Sequence, residues 1–247
     1  MSWPDGVGRE IHDEAGSTQD LARAAARAGV PGPVWFMARR QTAGRGRRGR
    51  VWTAPEGNLS ATLLLRPRLS AAEAAKLSFV AALAVADAFA ALAPGVEIGL
   101  KWPNDVLLEG GKAAGILLES EGSGGAADWV AVGIGLNLAG HPPADPDAAV
   151  PPTSLAALGH RPPAPEAALE ALAVAFARHL AAFEAEGFAP IRARWLARAA
   201  RLGGTMTART AAETVTGAFA DLDADGALVL HTPRGPRRIT AAEVFFA

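Results

Sequence analysis

Apolar and polar positions along the chain change period several times, and each change predicts an element. Ser17-Thr18-Gln19-Asp20 has the spacing of a capping box and precedes an Ala/Leu/Arg run that stops at Gly29. That predicts a first helix whose spare backbone donors lie at Ser17–Gln19. Val34 to Arg39 reads as a strand, and Asn58 to Leu65 as a second, alternating at first and then continuously apolar. Ser70-Ala71-Ala72-Glu73 opens a long helix that Pro94-Gly95 ends. Val96–Lys101, Asp105–Leu108 and Ala113–Leu118 are apolar segments joined by short turns, which predicts an antiparallel meander. Val130 to Leu138 reads as another buried strand, and residues 139–152, rich in Pro, Ala and Asp, as a surface loop. Pro165–Glu186 and Pro190–Arg201 are predicted helices. After Gly203-Gly204 the texture turns to short β-type runs, Thr205–Thr210, Thr214–Leu222, Ala227–His231 and Arg237–Ile239, with a tight turn at Asp223–Gly226. The chain therefore divides into a large unit, residues 1–203, and a small β unit, residues 204–247, too small to be robust alone.

Composition narrows the possibilities. At 247 residues the chain buries a sizeable core, and its net charge of −1 makes any arginine cluster a local feature. A nucleic-acid binder is expected to be basic, so that reading weakens. The absence of cysteine excludes disulfides and thiolate metal sites and fits a reducing compartment. The stretch before Ser17 is mixed and polar, without the pattern of a signal peptide. The longest apolar window, Phe79 to Ala93, is broken by Asp87 and is shorter than the ~18–20 residues a membrane span requires. A soluble cytoplasmic protein without membrane contact is expected.

Two segments carry the chemistry. Gly44-Arg45-Gly46-Arg47-Arg48-Gly49-Arg50 is too glycine-rich for a helix and too charged for burial. Such a loop repels itself when empty, yet folds around an anion with guanidinium forks and exposed N–H groups. A solvated turn or an RNA-binding patch is the alternative. The second segment, Lys101-Trp102-Pro103-Asn104-Asp105, puts an ammonium, an amide and a carboxylate beside a ring that favours burial. Lysine occurs only at positions 76, 101 and 112, against 21 arginines, so two lysines in one strand-turn-strand unit invite a reason. An ammonium is a compact charge that fits beside one phosphate oxygen; a hairpin-tip lysine in solvent is the alternative for Lys112. Asp105 either holds a Mg²⁺ or caps a turn. Ser17, Thr18 and Gln19 are also explained by N-capping alone.

Four blocks in this order resemble the biotin–protein ligases of the type lacking a DNA-binding domain. They are Ser17-Thr18-Gln19; Gly44–Arg50 with Gln41 ahead of it; Lys101–Asp105 with Lys112-Ala113-Ala114-Gly115 and Glu119 after it; and Gly133-Ile134-Gly135-Leu136-Asn137. The resemblance covers nearly the whole chain from about Ile11. It implies an α/β (α+β) fold like that of class II aminoacyl-tRNA synthetases, a mixed, largely antiparallel sheet with helices, followed by an SH3-like β-barrel. It also implies a two-step reaction: biotin and ATP give biotinyl-5′-AMP, and a lysine of a biotin carboxyl carrier protein then accepts the biotin. Biotin contacts are implied for Ser17, Thr18, Gln19, Gln41, Arg45, Gly46, Arg47, Lys112 and Gly115. Adenylate contacts are implied for Arg47, Arg50, Trp52, Asn104, Lys112 and Asn137. Lys112 is the main catalytic group, with Arg47 and Lys101 in support. Gln19 departs from the asparagine usual in the family. Homodimers are common there, so a second copy of the chain is a candidate partner, while DNA is not expected.

Other chemistries find little support. No two of the five histidines have metal-ligand spacing, no Gly-x-x-x-x-Gly-Lys-Ser/Thr string occurs, and no Ser/His/Asp set stands out. The nearest rival enzyme is a lipoate–protein ligase or an acyl transferase on a related fold. A biotin-sensing repressor needs a helix-turn-helix, and only about ten residues precede the first matched segment. An arginine-glycine RNA-binding module predicts steeply salt-dependent RNA affinity.

Overall fold

In the computed structural model, which describes residues 2–246, seven strands form one mixed sheet. They are β1 (Gly8–Ala15), β2 (Val34–Gln41), β3 (Leu59–Leu65), β4 (Ile98–Lys101), β5 (Asp105–Leu108), β6 (Gly111–Glu121) and β7 (Trp129–Leu136). Their order is β1-β2-β3-β7-β6-β5-β4. β1 and β2 run parallel and are joined by helix α1 (Thr18–Arg27); the other pairings in the sheet are antiparallel. Every residue of β3 and β7 is buried, Ser60 and Thr62 included, which accounts for the predominantly apolar character of both segments. One face of the sheet receives α1 over Phe36, Leu64, Trp129 and Ala131. The other receives α3 (Leu77–Leu92) and α4 (Pro165–Glu186).

The expected meander and most predicted elements form within a few residues of their expected ends, with some differences. β1 was not predicted, because Gly8–Ala15 is polar and largely exposed and is held by main-chain pairing with β2. The single long helix is two, α2 (Ala71–Ala75) and α3, meeting at Lys76. Ser70 and Glu73 cap the first reciprocally: the Glu73 N–H donates to Ser70 Oγ at 3.2 Å, and the Ser70 N–H to Glu73 Oε2 at 3.3 Å. Taken together, the stretch Ala71–Leu92 is long and apolar enough to cross a membrane, contrary to expectation. Most of α3 is instead buried in the protein's own core, which accounts for its apolar composition. Helix α5 (Phe188–Leu196) starts and ends earlier than predicted. The backbone that follows turns onto the sheet edge, where Leu100 N–H donates to Arg198 O and Ala200 N–H to Leu100 O, each at 2.8 Å.

The C-terminal segment forms a second sheet of β8 (Thr205–Arg209), β9 (Thr214–Leu222), β10 (Leu228–Thr232), β11 (Gly235–Ile239) and β12 (Glu243–Phe246), ordered β11-β10-β9-β8-β12. These five strands answer to the SH3-like unit expected, and among the described residues no ladder joins β11 to β12. β12 was also missed, because four residues with two phenylalanines at a chain end carry little periodicity.

This small sheet leans on the large unit through aromatic rings and one turn. Phe79 of α3 packs edge-on against Phe188 and Trp195 of α5, and Trp195 against Phe219 of β9, with centroids 5.2 to 6.4 Å apart. Trp102 Nε1 donates to Gly226 O at 3.0 Å. Gly226 has φ +82°, and a Cβ there would lie 2.6 Å from the Phe79 ring. Gly226→Ala should therefore lower unfolding stability by about 2 kcal/mol through left-handed backbone strain and crowding. Urea denaturation measures it, and an unchanged midpoint would contradict this packing.

Candidate active site

The start of α1 forms one wall of the site. Ser17 is its N-cap, and its Oγ accepts from the Gln19 N–H at 3.3 Å. The predicted capping box is incomplete because the Asp20 carboxylate turns away to Arg45. Gln41, at the end of β2, accepts at Oε1 from both the N–H and the Oγ1 of Thr18, at 2.8 and 3.1 Å. Thr62 Oγ1 donates to Thr18 Oγ1 at 2.8 Å, so the Thr18 hydroxyl is fixed in a chain of three groups. Gln19 is buried; its Nε2 donates to Leu117 O at 3.0 Å, while its Oε1 is a buried acceptor with no protein partner. The side chain packs beside Gly133, where a Cβ would come within 3.0 Å of it.

The glycine–arginine segment is a small hairpin lying over this wall. Trp52 N–H donates to Gly44 O at 2.9 Å and Gly46 N–H to Arg50 O at 2.7 Å. At the tip Arg48 and Gly49 adopt positive φ, +57° and +73°. Arg45 forks onto Asp20 with two 2.8 Å hydrogen bonds. Arg50 reaches Glu243 on β12 at 2.7 Å, so the second sheet holds the other limb. Hydrogen bonds from Arg45 and Arg50 hold the Asp20 and Glu243 carboxyls below the usual carboxylate range. Arg47 donates to Asn104 Oδ1 at 3.2 Å and, among the described residues, has no carboxylate at ion-pair distance. Burial, then the neighbouring Arg48, push its guanidinium below its ordinary value. Trp52 lays its indole across Gly115 and Gly135, directly paired residues of β6 and β7; a Cβ at Gly115 would meet the ring at 2.9 Å.

Opposite the flap stand the two lysines. Asp105 lies between them, 2.6 Å from Lys112 Nζ and 3.5 Å from Lys101 Nζ. Burial pushes the Asp105 carboxyl up, but the two ammonium groups outweigh it and leave it below the usual range. Burial pushes the Lys101 ammonium below its ordinary value, and Asp105 only partly opposes this. Lys112 is on β6 rather than at the hairpin tip: its N–H donates to Pro151 O and its carbonyl accepts from Thr153 N–H. The expectation that Asp105 holds Mg²⁺ does not fit this geometry. Each of its oxygens faces an ammonium, and no group of three or more metal-ligating side chains occurs among the described residues.

Asn104 accepts from Arg47 and donates to Ile116 O at 2.7 Å, bridging flap and sheet. Every candidate residue except Asn137 lines one cavity of about 210 Å³. Asn137 is buried behind it, donating to Thr153 O at 3.0 Å and Lys112 O at 3.4 Å, with Oδ1 left unpartnered. Among the lining residues that sequence reading missed are Glu243 and residues 148–150. Glu243 carried no signal because its strand was not predicted, and the loop because nothing local aims it at the site.

A mixed sheet under a cationic hairpin, with two lysines balanced on one carboxylate, defines a site for a small anionic ligand. Residues 17–137 match the profile of the biotin/lipoate A/B protein ligase family, and residues 202–247 that of the biotin protein ligase C-terminal domain. The chain belongs to this family. It is 54% identical over 221 residues to the biotin–[acetyl-CoA-carboxylase] ligase of Paracoccus denitrificans, covering 88% of this chain and 92% of that one. It is 33% identical to the bifunctional ligase/repressor BirA of Bacillus subtilis, over 94% of this chain and 72% of that protein. Among solved structures, the biotin protein ligase of Aquifex aeolicus in complex with biotin and ATP superposes with a TM-score of 0.82 at 25% identity, covering 97% of this chain and 99% of that one.

The lysine–carboxylate arrangement makes a stability prediction. Asp105→Asn leaves Lys101 buried without its counter-ion and should cost about 3 kcal/mol at neutral pH. Because the folded carboxyl is held below its unfolded value, its stabilisation is complete above about pH 4 and fades as pH falls through the folded pKa. Urea unfolding across pH should show the variant and the parent converging in acid. A constant gap would rule out the charge pairing.

Proposed function

We propose that this chain is a soluble, cytoplasmic, ATP-dependent biotin–protein ligase that forms biotinyl-5′-AMP and passes biotin to a lysine of a biotin carboxyl carrier domain. The observation that carries this reading is Arg47, half-buried and without a carboxylate at ion-pair distance among the described residues, opposite a lysine pair that shares a single carboxylate. An anionic ligand between flap and sheet removes that imbalance. A carboxylate and a phosphate brought together there supply it.

In the first step a biotin carboxylate oxygen attacks the α-phosphorus of ATP, and the bond to the leaving pyrophosphate breaks. Lys112 lies between both reactants and stabilises charge as it grows on the phosphate oxygens; Lys101, through the shared Asp105, keeps its partner in place. Arg47 caps the same oxygens from the flap and is steadied by Asn104. The Ser17–Gln19 turn and Gln41 supply the donors and acceptors a ureido ring requires, and the unpartnered Gln19 Oε1 takes one of its N–H groups. The Arg50 limb and Trp52 close over the nucleotide, while Asn137 behind the cavity holds the Lys112 and Thr153 carbonyls in place. In the second step the acceptor amine attacks the acyl carbon, AMP leaves with its phosphate, and an amide remains. The nucleophile belongs to the partner, in keeping with the absence of any histidine or cysteine from the lining among the described residues. Asp105, committed to both lysines, would not hold a Mg²⁺.

Incubation with biotin, MgATP and a biotinyl-acceptor domain, read by intact mass, should add one biotin; lipoate in place of biotin should add nothing. Lys112→Ala should reduce adenylate synthesis about 100- to 1,000-fold, and pyrophosphate exchange at the parent rate would refute its role. Arg47→Gly should speed escape of biotinyl-AMP about tenfold or more by removing a charge-assisted contact. Stray amine labelling reports that escape; release at the parent rate rejects the flap as a seal.

A further inference from the structure

We propose that Asp20 is a positioning residue for this reaction: it anchors the near limb of the cationic hairpin to α1 and so sets the roof over the ligand before any ligand arrives. The inference rests on the ligase reading above. Arg45 was expected to address the ligand directly, but both of its terminal nitrogens are taken by Asp20, at 2.8 Å each. That fork is the planar, bidentate geometry in which an exposed ion pair gains most. Arg23, one turn along the helix, reaches Asp20 at 3.2 Å and Glu119 of β6 at 2.9 Å, so the carboxylate is itself steadied from the sheet.

The stem of the hairpin leads to the same place. Thr42 N–H donates to Ala15 O and Ala43 N–H to Gly16 O, just before the helix begins. Gln41 is bound to Thr18, and Arg45 to Asp20. Gln41, Thr42, Ala43 and Arg45 are thus all tied to residues between Ala15 and Asp20, in the first turn of α1 or just ahead of it. Asp20 supplies the last carboxylate tie before the tip, where Arg47 reaches the Asn104 amide. The Gln19 side chain and the Asp20 tie leave from adjacent positions of one helical turn, so the turn that faces the ligand also fixes the roof above it.

The test compares Asp20→Asn, Asp20→Glu, Arg45→Gln and the double variant that combines Asp20→Asn with Arg45→Gln against the parent in the full chain. Two readouts are used: KM and kcat for biotin in pyrophosphate exchange, and tryptic cleavage at residues 45–50 mapped by mass spectrometry without ligand. Asp20→Asn should raise the biotin KM about fivefold, the equivalent of about 1 kcal/mol, with kcat little changed and cleavage of the flap faster. Asp20→Glu should restore most of the protection. In the Arg45→Gln background the Asp20 change should add almost nothing, because the pair is already broken. Should Asp20→Asn fail to fold, Arg45→Gln breaks the same pair from the flap side and must show the same loss of protection. Protection equal to the parent in either single variant, or additive effects in the double, would overturn the proposal. A parent that activates no biotin fails the ligase reading, while the proteolysis still decides whether Asp20 holds the flap.

Discussion

Asp105 holds two ammonium groups that otherwise repel, and much of the site is arranged around that one carboxylate. Lys101 and Lys112 come from strands on either side of β5 in the meander, and Lys101 is almost fully buried. Without a counter-ion, burial of that charge is strongly unfavourable. With one carboxylate shared between two ammoniums, the cluster keeps one net positive charge. That residual charge faces the cavity, so the arrangement that stabilises the empty protein also leaves an attraction for an anion. Structure and affinity therefore have a common electrostatic origin here.

The flap extends this logic across the cavity. Its limbs are fastened at Asp20 on α1 and Glu243 on β12, while the tip carries arginines with no acidic partner among the described residues. A hairpin clamped at both limbs loses less freedom when its tip closes on a ligand than a free loop does. The Glu243 clamp also gives the C-terminal sheet a part in the site. That sheet is docked by the Phe79 ring cluster and the Trp102–Gly226 hydrogen bond, so packing far from the ligand fixes where Arg50 points. Excluding water from a mixed anhydride depends on such placement.

The indole of Trp52 on Gly115 and Gly135 shows why glycines recur in the sheet. Paired across β6 and β7, they leave a floor without side chains on which a large ring lies flat. In sequence these positions look like interruptions of otherwise apolar strands. Gly133 plays the same part for the amide of Gln19.

Much of this was legible along the chain, because hydrophobic period, caps and turns are local. The central strands, the meander, α1 and α4 follow from them, and the arginine–glycine and Lys101–Asp105 segments marked themselves by composition. What was not legible depended on partners distant in sequence. β1 and β12 exist because other strands pair with them, and the burial of the Ala71–Leu92 stretch rests on helices far along the chain. Asp105 read as a metal ligand or a turn cap, because nothing in its own neighbourhood reveals that both oxygens meet lysines. Arg45 read as a ligand contact for the same reason. The residue types and their order were determined by sequence; which charge neutralises which, and which is left for the ligand, was decided only when the two sheets and the flap converged on one cavity.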